Sequence, residues 1–285
     1  DPLRRGGRVP RTFVIAEGAA THDGSFEQAK ALVNLAAHVG AAALKLQWLS
    51  KAERLCERRN APEYLNAYRL LQFPESWFPD LLSRCDGLGI DLLCTAFLPE
   101  DIHVVARYVR RFKVSSFEAT DAHFVALHAE WPDKPLIISA GMGGDLHRSL
   151  MAYREAVTRF RLTSDITVLA CTSAYPCPPD QVNLRRLWTD GLYAVKPRGL
   201  SDHSRHPWTG ALAVAAGARV VEFHVRLTDT DPHNADFAVA RTPEEAREYV
   251  ANIRLAEAVM GDGVRSVQEA EREMTRYRVE SEPPL

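Results

Sequence analysis

The sequence has no apolar run near the roughly 18 residues that a membrane span requires, which excludes a helical membrane protein. It has no C-x-x-C pair, and its five cysteines (Cys56, Cys85, Cys94, Cys171, Cys177) are odd in number. A disulfide framework is thereby excluded, and reduced thiols in a cytoplasmic protein are expected. No block of like charge occurs: Lys and Arg are spread along the chain and the formal net charge is −2, so no nucleic-acid groove is indicated. The basic start DPLRRGGRVPRT runs into a short apolar strand with no signal-peptide core behind it. G-x-G-x-x-G is missing after that strand, where Glu17-Gly18-Ala19-Ala20-Thr21-His22-Asp23-Gly24 stands, which argues against a doubly wound nucleotide-binding sheet. Ser139 in SAGM is not a G-x-S-x-G elbow, which argues against a serine hydrolase.

What is present is the balance of a soluble domain, with 46% hydrophobic and 25% charged residues in a 285-residue chain, ample for one barrel. Short β-branched runs alternate with longer amphipathic stretches. Strands are predicted at Phe13 to Ala16, Ala42 to Leu46, Asp91 to Cys94, Arg111 to Val114, Leu136 to Ile138, Ile166 to Ala170, Ala194 to Leu200 and Arg219 to Glu222. Helices fill the intervals, among them Phe26 to Val39, Glu75 to Leu88, Arg148 to Phe160, Trp208 to Ala216 and Pro243 to Met260. The repeat predicts an α/β fold, a closed (β/α)8 TIM barrel over residues 1–262, followed by a polar tail or arm over 263–285. A charged excursion from Ser50 to Phe73 interrupts the repeat on the face where such barrels build active sites.

Every predicted strand ends in a polar group. In order these are Glu17; Lys45 and Gln47; Thr95; Lys113 with Ser115, Ser116 and Glu118; Ser139; Thr172 and Ser173; Ser201-Asp202-His203; and Glu222 with His224. A single polar strand end is commonplace, whereas one on every strand marks a rim. Lys45 and Lys113 stand at strand ends, where a buried ammonium would need a fixed anion and the blander reading is a lysine that reaches solvent; the hydroxyls of Thr95, Ser116, Ser139, Ser173 and Ser201 suit a cradle for phosphate and carboxylate oxygens. His203 and His224 end neighbouring strands, within reach of one ion of the Mn²⁺, Zn²⁺, Fe²⁺ or Co²⁺ type; a plain hydrogen-bonded pair is the blander reading. Cys171 also reaches the rim, where core packing explains it without a nucleophilic role.

These residues lie in the runs FVIAEGAATHDGS, AAALKLQ, GIDLLCTAF, FKVSSFE, PLIISAGM, CTSAYPCPPDQVNL, GLSDHS and VVEFHVRL. In that order the runs resemble the catalytic barrel of the sialic acid synthase family. The resemblance implies condensation of phosphoenolpyruvate with an open-chain aldose such as N-acetylmannosamine, giving a 2-keto-3-deoxy sugar acid and phosphate. It implies a divalent metal on His203 and His224, Mn²⁺ first and Mg²⁺, Co²⁺, Fe²⁺ or Zn²⁺ as alternatives. Phosphoenolpyruvate contacts fall by the same resemblance on Lys45, Thr95, Lys113, Ser116, Ser139, Ser173 and Ser201. Catalytic acids fall on Glu17, Asp23 and Glu118, and acceptor contacts on Gln47, Tyr175 and Asp236. A homodimer is expected on the same ground.

Three departures from the family pattern stand out. N-H-x-G is Thr21-His22-Asp23-Gly24, S-G-E is Ser116-Phe117-Glu118, and P-D-H aligns with Ala235-Asp236-Phe237. Typical members also continue into a small antifreeze-like domain, which lends an arginine to the acceptor site across a dimer. The tail TRYRVESEPPL reads as a finished end, favouring a barrel-only variant with another acceptor over a fragment. Two other classes compete with the synthase: a degenerate barrel that binds a sugar or sugar phosphate without turnover, and a metal-dependent hydrolase with a third ligand from Glu17, Asp202 or Asp236.

Overall fold

A computed structural model of the chain describes residues 11–143, 146–159, 165–189 and 198–279. Eight parallel strands follow one another: β1 (Phe13–Ala19), β2 (Ala43–Trp48), β3 (Asp91–Ala96), β4 (Phe112–Val114), β5 (Leu136–Ala140), β6 (Ile166–Cys171), β7 (Gly199–Asp202) and β8 (Val220–His224). Between them run α1 (Phe26–His38), α2 (Ala52–Arg59), α3 (Leu65–Arg69), α4 (Trp77–Leu88), α5 (Ile102–Ala106), α6 (Ala122–Leu127), α7 (His147–Arg159), α8 (Arg186–Thr189), α9 (Thr209–Ala215) and α10 (Pro243–Met260). The expected barrel is found. Of the strand predicted from Ala194, residues 194–197 lie outside the described residues, and β7 reaches two residues beyond Leu200.

Period-two alternation explains the interior. Ile15, Ala43, Leu93, Ile137, Leu169 and Val220 point inward and form a dry plug low in the barrel. One repeat further along their strands stand Glu17, Lys45, Thr95, Ser139, Cys171 and Glu222, so the same face turns polar toward the strand ends. Apart from Asp202 on β7 the opposite face is apolar, and Val14, Leu44, Leu92, Phe112, Ile138, Val168 and Val221 pack against the helices. Gly199 lies low on β7, where an added Cβ would come within 2.3 Å of the Val220 carbonyl and 2.5 Å of Leu169 Cδ2. Gly199→Ala is therefore expected to destabilise the fold by about 1–3 kcal/mol, as overpacking does, measurable by chemical denaturation.

The ring of strands has one seam. The ladder order is β3-β2-β1-β8-β7-β6-β5-β4, and β3 and β4 lie side by side with no ladder between them. Ion pairs cross this seam at both ends: Arg111 to Asp91 at 2.8 Å below, and Arg59 to Glu118 and Arg58 to Asp121, both at 2.6 Å, above.

Elsewhere the fold closes with buried polar links. Asp202 alternates away from the interior, and its Oδ2 takes Arg241 at 3.0 Å and the Tyr249 hydroxyl at 2.7 Å, while Oδ1 accepts the Ser204 N–H at 2.8 Å. That pins β7 to α10, whose start is a capping box of Thr242 and Glu245. The excursion after β2 forms α2 and α3 over its own apolar cluster of Leu49, Leu55, Leu71, Phe97 and Leu98. After α10 every described residue, 261–279, is exposed. No helix among the described residues is long and apolar enough to cross a membrane.

Candidate active site

The polar level of the interior is a closed charge network. Glu222 Oε1 lies 3.3 Å from Lys113 Nζ and accepts the Ser201 hydroxyl at 3.0 Å, and Glu222 Oε2 lies 3.8 Å from Lys45 Nζ. Lys45 also pairs with Glu17 and donates to Thr95 at 3.3 Å; Lys113 donates to Ser139 at 2.9 Å. All four charged groups are buried. Burial pushes the Glu222 carboxyl up, yet the Lys113 and Lys45 ammonium groups outweigh it and bring it down to about 2. Burial dominates at Lys45 and lowers it to about 8, against the pull of Glu222. The fixed anion that the two lysines require is thus supplied by the protein. Lys113 also donates to the Val114 carbonyl at 3.3 Å, and Glu17 Oε2 and Glu222 Oε2, the buried carboxylate oxygens outside the hydrogen bonds, both face Lys45.

The hydroxyls stand beside this floor. Ser116 and Ser173 share a hydrogen bond of 2.8 Å above Gly141, where a Cβ would come within 2.5 Å of Ser173 Oγ. Arg186 holds the turn from below by donating to the Cys171 and Ala140 carbonyls at 2.9 and 3.0 Å.

The two histidines form the adjoining wall, with ring centroids 5.2 Å apart and the Tyr175 ring 4.2 Å from His203 and 5.8 Å from His224. His203 Nδ1 lies 2.9 Å from the Thr172 carbonyl, which can only accept, so the proton sits on Nδ1 and Nε2 carries the lone pair. His224 Nδ1 lies 3.2 Å from Asp236 Oδ1, without the alignment of a hydrogen bond. A carbonyl behind one imidazole and a carboxylate behind the other are the supports that metal-binding histidines take, and the pair fits a divalent cation. Among the described residues no group of three or more His, Cys, Asp or Glu side chains converges on one ion position. Asp202, an alternative third ligand in the hydrolase reading, faces the helices and is held by Arg241 and Tyr249. Cys171 Sγ lies 3.9 Å from His203 Nδ1.

Against known proteins, the NeuB family matches residues 32–265. The chain belongs to the NeuB family. N,N'-diacetyllegionaminic acid synthase of Legionella pneumophila is 34% identical over 88% of this chain and 74% of its own length. Pseudaminic acid synthase of Campylobacter jejuni is 30% identical over 89% of this chain and 76% of its own. The crystal structure of the N-acetylneuraminic acid synthetase of Leptospira borgpetersenii, in complex with citrate, superposes with a TM-score of 0.81 at 24% identity, covering 94% of this chain and 92% of that one, and shares the fold. This NeuB-family chain is an enzyme, a carbon–carbon bond-forming synthase of the sialic acid synthase type.

Other expected site residues of this NeuB-family barrel lie apart from the floor. Gln47 is half-buried one inward step beyond Lys45. Asp23 takes positive φ, 49°, and its two oxygens accept the Asp231 N–H and the Asn234 amide, both at 2.7 Å. Its carboxylate therefore ties down the loop after β8, and the structure does not bring it to the lysines. His22 beside it is enclosed by Phe73 and Trp77, and burial lowers it to about 4, so it is neutral. Glu118 sits over the seam, with Arg59 on one oxygen and Ser115 on the other. Two residues were missed at the level of sequence: Glu222 as counterion to both lysines, and Arg59 on the rim. The first was legible from alternation, since Glu222 lies one inward step before His224.

Proposed function

We propose that this chain condenses phosphoenolpyruvate with the aldehyde of an open-chain aldose, giving a 2-keto-3-deoxy sugar acid and phosphate. The observation that carries the reading is the convergence of Lys45 and Lys113, both buried, on one side of a mouth whose other side is the His203–His224 pair. Lys45 and Lys113 bind the phosphate and carboxylate oxygens, and Thr95, Ser116, Ser139, Ser173 and Ser201 complete their hydrogen bonds. His203 and His224 would hold a divalent cation, Mn²⁺ foremost, which would supply Lewis-acid polarisation for the aldehyde oxygen. Gln47, Tyr175 and Asp236 hold the acceptor so that its carbonyl carbon meets C3 of phosphoenolpyruvate. As C3 bonds to the carbonyl carbon the C2–C3 double bond is consumed and the aldehyde oxygen takes up negative charge and then a proton, while the lysines hold the phosphate and carboxylate oxygens beside the electron-poor C2. Water then adds at C2, and Glu17 or Glu118 takes its proton before the C2–O bond to phosphate breaks.

The test is phosphate release with Mn²⁺, phosphoenolpyruvate and a panel of aldoses, in the parent and in His203→Ala and His224→Ala. Each variant is expected to lose more than about 100-fold, since even the supporting partners of a metal ligand are worth 10–100-fold. Full activity in both variants would remove the metal from the reading. Turnover that needs no phosphoenolpyruvate would replace the synthase by a hydrolase.

A further inference from the structure

Arg59 stands where the excursion after β2 meets the loop after β4. It ends α2, where Asn60 turns the chain through left-handed backbone at φ 48°. Of its five N–H donors, Nε and Nη2 spend one each on Glu118 Oε1, at 3.1 and 2.6 Å, and Nη1 spends one on the Tyr68 hydroxyl at 3.3 Å. Two donors remain. The guanidinium is caged by rings, its centre 4.6 Å from Phe117, 4.9 Å from Phe97 and 5.6 Å from Tyr68.

Phe117 is the residue that stands in place of glycine in S-G-E. Its ring is the plate on which Arg59 lies, and it is 48% exposed at the rim. The departure and the arginine are thus two halves of one feature. Phe117 and Glu118 follow directly on Ser116, whose hydroxyl meets that of Ser173 at 2.8 Å, and Ser173 stands two residues before Tyr175, which packs on both histidines. The guanidinium therefore borders the same mouth as the imidazoles.

We propose that Arg59 is a specificity-determining residue for the acceptor, and that with Glu118 and Phe117 it selects the far end of an uncharged, oxygen-rich aldose. The pair offers donors from Arg59 beside the acceptor oxygens of Glu118, a combination that hydroxyl and acylamido groups satisfy. A phosphoryl group there would set a dianion against Glu118, which already takes the charge of Arg59. The inference rests on the condensation reading, in which the lysine floor is filled by phosphoenolpyruvate and the rim is left to the acceptor.

Arg59→Ala, Arg59→Lys and Phe117→Gly are assayed with Mn²⁺, phosphoenolpyruvate and a panel of 2-acetamido-aldoses and their 6-phosphates, with phosphoenolpyruvate binding followed by calorimetry. The parent is expected to prefer the uncharged sugars. Arg59→Ala raises the acceptor KM by about tenfold or more with phosphoenolpyruvate affinity unchanged, because a site built to bond a polar group loses strongly when that bond goes. Arg59→Lys restores little, since an ammonium lacks the planar fork. Phe117→Gly leaves the folded barrel intact and moves the acceptor KM in the same direction. An unchanged acceptor KM in Arg59→Ala and Phe117→Gly, a fall in phosphoenolpyruvate affinity alongside it, or a parent that prefers the 6-phosphates would each overturn the inference while leaving the condensation reading in place. A parent that binds phosphoenolpyruvate yet releases no phosphate with any sugar would overturn both.

Discussion

Lys113→Met is expected to lower phosphate release by about 10²–10³-fold, the loss found when one preorganised charge donor is removed from a desolvated site. Lys113 is 3% exposed and bonds Ser139 at 2.9 Å, with Glu222 Oε1 at 3.3 Å. Its removal takes one of two ammonium groups from the floor and leaves Glu222 to Lys45 alone, so phosphoenolpyruvate would meet a site whose net charge is more negative by one. Affinity for phosphoenolpyruvate should therefore collapse together with turnover, and calorimetry should show no binding in the range where the parent saturates. Lys113→Arg keeps the charge but not the compact ammonium, and recovers only part of the loss. Parent-like binding in Lys113→Met would mean that the substrate anion lies elsewhere.

The second large effect is on stability. Arg241→Met is expected to cost about 3–5 kcal/mol, because it leaves the Asp202 carboxylate buried without its counter-charge. Arg241 and Asp202 are each 1% exposed. The Tyr249 hydroxyl and the Ser204 N–H still reach Asp202, and neither carries charge. A drop of about 10 °C in Tm follows at a few degrees per kcal/mol. Replacing both partners, Asp202→Ala with Arg241→Met, should cost less than the sum of the single changes, as a double-mutant cycle would show. A melting point unchanged in Arg241→Met would mean that the pair is not what joins β7 to α10.

The barrel was legible because its strands are short β-branched runs with polar ends, and because one inward step from the dry plug leads to Glu17, Lys45, Thr95, Ser139 and Glu222. Period-two alternation carries that information within each strand. It also separates Ser201, which faces in, from Asp202, which does not. What stayed hidden were relations between distant segments. Nothing in the spacing of Arg59 and Glu118, or of Asp202, Arg241 and Tyr249, tells that they meet. The partners of Asp23 were hidden in the same way: it lies close in sequence to Glu17, and positive φ turns it onto Asp231 and Asn234.

The seam between β3 and β4 makes the barrel a hoop with a clasp. Around most of the hoop, neighbouring strands are laced by backbone bonds that ionic strength scarcely touches. At the clasp the fastening is electrostatic, by Arg111 with Asp91 at one end and by Arg58 and Arg59 with Asp121 and Glu118 at the other. Salt loosens the more exposed pairs, Arg111 with Asp91 and Arg58 with Asp121, and screens the enclosed Arg59–Glu118 pair much less. The upper fastening is also the wall proposed to receive the sugar, so whatever grips Arg59 and Glu118 together tightens the hoop, and whatever parts them lets it spring. A bound acceptor would then act on the barrel as a buckle.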